Sequence, residues 1–145
     1  VLIDDLDADK LAEMRREGYQ PAAVMESSPG SFQAVLKVDG RYAKPDVNAW
    51  FKDMNRSRGD EAITGLVHPF RLAGFENRKP KHRDEQGKHP FVGLREALGT
   101  FCGRARQVIH TYALEAARLA SERQREAARR DALSEREAPR LAPRR

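Results

Sequence analysis

Ala22-Ala23-Val24-Met25-Glu26-Ser27-Ser28-Pro29-Gly30-Ser31-Phe32-Gln33-Ala34-Val35-Leu36-Lys37-Val38 is the stretch that decides the fold class. Ser28-Pro29-Gly30-Ser31 at its centre places Pro where a type II turn fixes φ and Gly where that turn needs a positive φ. Residues 22–27 and 31–38 on either side are apolar and rich in strand formers. Phe32, Ala34, Leu36 and Val38 alternate onto one face. The stretch therefore reads as a β-hairpin with one buried side.

Upstream, Val1-Leu2-Ile3 is a short apolar run ending in Asp4-Asp5, a buried strand that delivers two carboxylates at its end. A helix follows, with Asp7 as its cap, Leu6 and Leu11 as the flanking staple and Gly18 as its stop. Downstream, Pro45 opens a second helix at its first turn. Val47, Trp50, Phe51 and Met54 give that helix a core-facing stripe, and Arg56-Ser57-Arg58-Gly59 ends it. Residues 60–66 suit a short helical turn. Strands are predicted over 68–75 and 91–94, separated by a polar loop over 77–89 that carries Arg78, Lys79, Lys81, His82, Arg83 and Lys88. Residues 104–137 hold no Pro or Gly and form one long helical pattern, roughly 50 Å at ~1.5 Å per residue. Its stripe is Ile109, Tyr112, Ala116 and Leu119, after which alanines take over. Residues 139–145 are predicted to be a disordered tail. The predicted class is α+β (α/β): a small, mainly antiparallel sheet with packed helices, then a long charged C-terminal helix.

The chain has 145 residues, of which 39% are hydrophobic and 34% charged. That is room for one domain and a modest core, not for a two-domain enzyme. No run of 18 apolar residues and no basic-then-apolar leader is present, so neither a membrane span nor a secretory signal is expected. One cysteine, Cys102, excludes an internal disulfide and a cysteine-rich zinc site, which fits a cytoplasmic location. Val1 opens inside an apolar run without an initiator Met, so the chain reads as part of a longer protein. The net charge is +5, and residues 104–145 hold 11 Arg against 6 acids, leaving 16 basic and 16 acidic residues before them. Arginine pairs bidentately with phosphate oxygens, so that helix is a candidate phosphate-tracking element as well as a plain solvated face.

Asp4-Asp5 is the sharpest chemical feature. Consecutive residues on a regular strand point to opposite faces, so both acids reach one site only where the strand twists or ends. Two close carboxylates repel and call for a hard divalent cation; the competing role is strand termination and helix capping. Asp60, after Gly59, suits either a helix cap or a further acid. His68 stands alone at the start of a predicted strand. Arg71 lies in an apolar run and needs a carboxylate or phosphate partner. Arg78-Lys79-Pro80-Lys81 suits phosphate contact or a soluble loop. Glu26, Ser27 and Gln33 could position a sugar or template from the hairpin, or simply decorate it. Together these are the components of phosphoryl or nucleotidyl transfer. A Walker loop, a dinucleotide fingerprint, a nucleophile elbow and a CxxC are absent.

Three blocks, Val1–Leu6, Pro21–Ala34 and Arg71–Lys79, resemble the RepB-type DNA primases of mobilizable plasmids, which belong to the archaeo-eukaryotic primase superfamily and often occur fused to a relaxase. The resemblance covers roughly residues 1–95. It implies a partial primase catalytic domain over 1–98, an Arg-rich helix over 99–138 and a tail over 139–145. The family's adjacent aspartates fall on Asp4 and Asp5. Its third catalytic aspartate, eleven residues before the Arg of Arg-Leu-Ala-Gly-Phe, falls on Asp60. The superfamily's nucleotide-binding His falls on His68, and Arg71, Arg78 and Lys79 match basic positions near triphosphate or template. The implied cofactor is Mg2+ or Mn2+, held by Asp4, Asp5 and Asp60. The implied partners are a single-stranded DNA template, nucleoside triphosphates and an associated or fused relaxase or helicase. The sequence departs from the superfamily pattern at Gly65-Leu66-Val67, which lacks the small polar residue expected two positions before His68. Family strands upstream of the aspartate strand are also missing, which predicts an exposed strand edge. The alternative readings are a non-catalytic nucleic-acid-binding fragment and a helical interaction segment on a small platform.

Overall fold

The computed structural model describes residues 1–63 and 65–137. Strand β1 (Leu2–Leu6) leads into α1 (Ala8–Arg16); the hairpin β2 (Ala23–Ser28) and β3 (Ser31–Val35) follows; then come α2 (Lys44–Arg58), a 3-10 turn (Pro80–His82), β4 (Gly93–Ala97) and α3 (Gly103–Glu137). The strands form one antiparallel sheet in the order β1-β3-β2-β4.

The hairpin turns through Pro29-Gly30, with Gly30 at φ 75°. Asp7 caps α1 by accepting from the Lys10 N–H at 2.8 Å, and Gly18 leaves the helix at φ 90°. Pro45 sits in the first turn of α2. One face of the sheet, with Ile3, Leu6, Val24, Ala34 and Leu36, packs against Leu11 and Met14 of α1 and Trp50 and Phe51 of α2. Each such buried side chain is worth about 1.5–3 kcal/mol of transfer free energy. Ala105 and Ile109 bring the start of α3 onto the same core.

The other sheet face carries Gln33 and Ser27 by strand alternation. A long irregular segment between α2 and β4 lies beside it. Residues 68–75 form no strand. Their link to the sheet region is a bridge between Glu76 and Phe91, with Gly74 turning at φ 86°. β4 pairs with the outer side of β2, the end of the 68–75 run bonds to Val92 rather than to a sheet strand, and Phe70, Leu72 and Phe75 remain exposed. The last strand runs over Gly93–Ala97, displaced from the predicted 91–94. Residues 61–62 make a turn rather than a helical stretch.

The outer edge of β1 is not bare. Asn55, fully buried on α2, donates from Nδ2 to the Leu2 carbonyl at 3.1 Å, and its Oδ1 accepts from the Asp4 N–H at 3.3 Å. One side-chain amide thus takes the place of a neighbouring strand's peptide group. On α3, Ile109 is buried and Tyr112 half-buried, while Ala116 and Leu119 are exposed. The packed stripe therefore ends about two turns earlier than predicted. No helix among the described residues is long and apolar enough to cross a membrane. The predicted tail, 139–145, lies outside the described residues.

Candidate active site

The carboxylate pair is presented by a bulge. Ile3 pairs with Ala34 and Leu6 with Phe32, so Asp4 and Asp5 together stand opposite Gln33 alone. Asp5 takes up the extra residue in the left-handed region, at φ 58°. That region costs an ordinary side chain about 1–2 kcal/mol, and Asp tolerates it better than most. Asp4 Oδ1 accepts from the Asp5 N–H at 2.7 Å and so stabilises the bend locally. It also accepts from Gln33 Nε2 at 2.9 Å. Bulges commonly re-aim side chains in this way beside active sites.

Asp60 reaches the same place through Gly59. The Gly59 N–H donates to the Asn55 carbonyl at 2.9 Å and ends α2, and its α-carbon packs against the backbone of Asp4. Asp60 comes next, and its Oδ1 accepts from the Ala62 N–H at 2.9 Å, so it also caps the turn that follows.

Asp4, Asp5 and Asp60 line one cavity of about 320 Å³. Arg71, Lys79, Lys81 and His82 line the same cavity, as do Ser27, Ser28, Ser31, Gln33 and Asn77. The cavity therefore brings acidic and basic side chains to one place. Among the described residues none of the three aspartates is in a salt bridge. Among them, too, no three His, Cys, Asp or Glu side chains are gathered closely enough to enclose one ion. The oxygen-only donor set suits a hard divalent cation, and Asp60 would have to turn from its cap to complete it. Partial burial, followed by the like charges of Lys81, Lys79 and Arg71, holds the His82 imidazole below its ordinary value.

Of the nucleotide-binding residues expected from the sequence, Arg71 and Lys79 line this cavity and His68 and Arg78 do not. Arg78 is exposed and pairs with Glu76 at 3.1 Å. Ser27 and Gln33 face the cavity as expected. Glu26 does not: it accepts from the Gly30 N–H at 2.9 Å and pairs with Arg95, contacts that hold its carboxyl below the usual range. Lys81 lines the cavity too, in keeping with the Arg78–Lys81 run that suits phosphate contact, whereas His82 and Asn77 have no role in the sequence reading. Their signal was the Pro80 turn, which folds a loop that reads as merely basic back over the hairpin.

Residues 1–125 match the model of the RepB DNA-primase N-terminal domain. The chain is 45% identical over 108 residues to a DNA primase of Acidithiobacillus ferrooxidans, covering 72% of this chain and 31% of that protein. It is 41% identical over 101 residues to Mobilization protein A of Escherichia coli, covering 68% of this chain and 14% of that protein. It therefore spans less than a third of either curated relative. Among solved structures it resembles primase RepB′, with a TM-score of 0.70 at 32% identity, over 94% of this chain and 46% of that one. It also resembles the catalytic domain of that primase in complex with initiator DNA, with a TM-score of 0.66 at 30% identity, over 83% of this chain and 61% of that one. With the family model matched over most of its length and the sheet shared with a primase, this chain belongs to the RepB DNA-primase N-terminal domain family.

Proposed function

We propose that the chain carries the catalytic centre of a metal-dependent DNA primase that makes short primers on single-stranded DNA for plasmid replication. The supporting observation is the bulge that turns both Asp4 and Asp5 toward a cavity shared with Asp60 and faced by Arg71 and Lys79. Asp4, Asp5 and Asp60 would bind Mg2+ or Mn2+, which supplies Lewis-acid activation of a 3′-hydroxyl and charge neutralisation at the leaving pyrophosphate.

The remaining roles belong to the chain itself. Arg71, with Lys79 and Lys81, binds the triphosphate of the incoming nucleotide by charge-assisted hydrogen bonds. His82, whose pKa burial and the neighbouring Lys81, Lys79 and Arg71 lower, offers a hydrogen-bonding imidazole there. Ser27 and Ser28 offer hydroxyls at the cavity wall for the sugar. His68 and Arg78, off that wall, would meet the template or the nucleotide on its approach. The arginines of α3 would follow template phosphates. The mobilization relative is consistent with a relaxase or helicase acting in the same system.

The test is primer synthesis on single-stranded DNA with labelled nucleotides and Mg2+ or Mn2+, using the chain within its longer protein. Asp4→Ala is expected to abolish synthesis and leave the fold intact; full activity in that variant overturns the assignment. The loose spacing of the three carboxylates favours a second reading, a non-catalytic DNA-binding fragment. It predicts salt-dependent DNA binding, no incorporation, and indifference to Asp4→Ala.

A further inference from the structure

Two uncharged side chains in the cavity wall have no part in the chemistry proposed above, yet both are almost wholly buried: Gln33 is 1% exposed and Asn77 2%. Gln33 Nε2 donates to Asp4 Oδ1 at 2.9 Å, and its Oε1 accepts from the Arg71 backbone N–H at 3.2 Å. Asn77 Oδ1 accepts from Arg71 Nε at 2.8 Å, and its Nδ2 donates to the Ser27 carbonyl at 2.6 Å. Both amides are bonded at both ends. Neither can be flipped, because a flip would set oxygen against oxygen and N–H against N–H. The bonds run without a break from Asp4 through Gln33 and Arg71 to Asn77 and the Ser27 carbonyl.

An arginine and three aspartates around one small cavity would ordinarily pair, since like burial strengthens their attraction. Here Arg71 is in no salt bridge among the described residues. Its Nε is occupied by a neutral oxygen and its backbone is tied to Gln33. Among the described residues Asp4 likewise accepts from neutral donors only, Gln33 Nε2 and the Asp5 N–H. We propose that Gln33 and Asn77 are positioning residues that keep acid and base apart, holding Asp4 ready for a cation and Arg71 ready for phosphate. This inference rests on the metal-and-triphosphate reading of the cavity. Neutrality is what the two positions require. A carboxylate at 33 would repel Asp4, and a carboxylate at 77 would lock Arg71 in an ion pair.

The experiment measures two ligands separately on the full chain: Mn2+ alone by electron paramagnetic resonance, and a fluorescent nucleoside triphosphate in EDTA by anisotropy. Gln33→Met is expected to weaken Mn2+ binding about tenfold, because Arg71 falls onto the aspartates. Adding Arg71→Ala to that variant should restore Mn2+ binding to within about twofold, which loss of packing alone would not allow. Asn77→Asp keeps the side-chain shape but sets a carboxylate oxygen against the Ser27 carbonyl, so its fold is checked by circular dichroism and a urea midpoint; in the folded variant it should weaken triphosphate binding about tenfold without weakening Mn2+ binding. Unchanged Mn2+ binding in Gln33→Met, failure of Arg71→Ala to restore it, or unchanged triphosphate binding in Asn77→Asp overturns the proposal. If the original chain binds no Mn2+, the metal reading fails and takes this inference with it; if it does, a negative result in the variants counts against the inference alone.

Discussion

Gly59 and Asp4 touch backbone to backbone: a methyl group on Gly59 would lie 2.6 Å from the Asp4 carbonyl oxygen and 2.6 Å from Asn55 Oδ1. Neither neighbour is a flexible chain end, so one of them must move. Gly59→Ala is expected to cost about 1–3 kcal/mol, as overpacking does. It should also displace Asp4 from Asp60. A urea unfolding midpoint equal to that of the original chain would refute this.

Asn55→Leu keeps the volume of the side chain and removes both of its ends. The Leu2 carbonyl and the Asp4 N–H then lose their partners at the edge of β1. The expected loss is about 1–3 kcal/mol for each buried group left unsatisfied. Hydrogen exchange at the Asp4 amide should accelerate with it; unchanged protection there would show that the edge is held in another way.

Asp5 separates backbone from charge. Asn accepts the left-handed conformation that Asp5 adopts, so Asp5→Asn should unfold at nearly the same urea concentration while losing primer synthesis. Asp5→Val must lose both, with a further cost of about 1–2 kcal/mol for a β-branched residue at positive φ. Equal stability of the two variants would argue against a strained bulge.

Tyr112 on α3 donates its hydroxyl to Asp53 Oδ2 on α2. Burial first, and then this contact with a carboxylate, push its pKa from 10.0 up to about 12. The folded state keeps the proton where the unfolded chain has released it. The stabilisation is therefore complete below pH 10 and is lost as the pH rises toward 12. Titration of phenolate absorbance should show one of the three tyrosines ionising late, and Tyr112→Phe should remove that step and the matching fall in thermal stability.

The hairpin, the caps of α1, the stripe of α2 and the extent of α3 were legible because each depends on neighbours in sequence: Pro29-Gly30, Asp7, Val47 to Met54. The 68–75 run was not. Its apolar composition suits a strand, but pairing depends on partners distant in sequence, and β2's outer side is paired with β4 instead. The three aspartates were readable as a group through family resemblance, and the cavity brings them together. His82 stands at the cavity wall because the Pro80 turn carries it there, and nothing local in the sequence signals that placement. Gln33 and Asn77 were unreadable as a linked pair: the partners of Gln33 lie 29 and 38 positions away, and the Ser27 carbonyl that anchors Asn77 lies 50 away.

The bulge in β1 also settles a matter of parity. Ile3 and Leu6 are both buried, yet an odd number of steps separates them, and a regular strand would send them to opposite sides. The extra residue cancels the mismatch. A chain missing either aspartate would have its two apolar anchors an even step apart, in phase without distortion. It would be the more regular strand, and it would have no site. What reads as a defect in the ladder is thus the condition under which one short strand can face the core twice and still deliver two charges side by side.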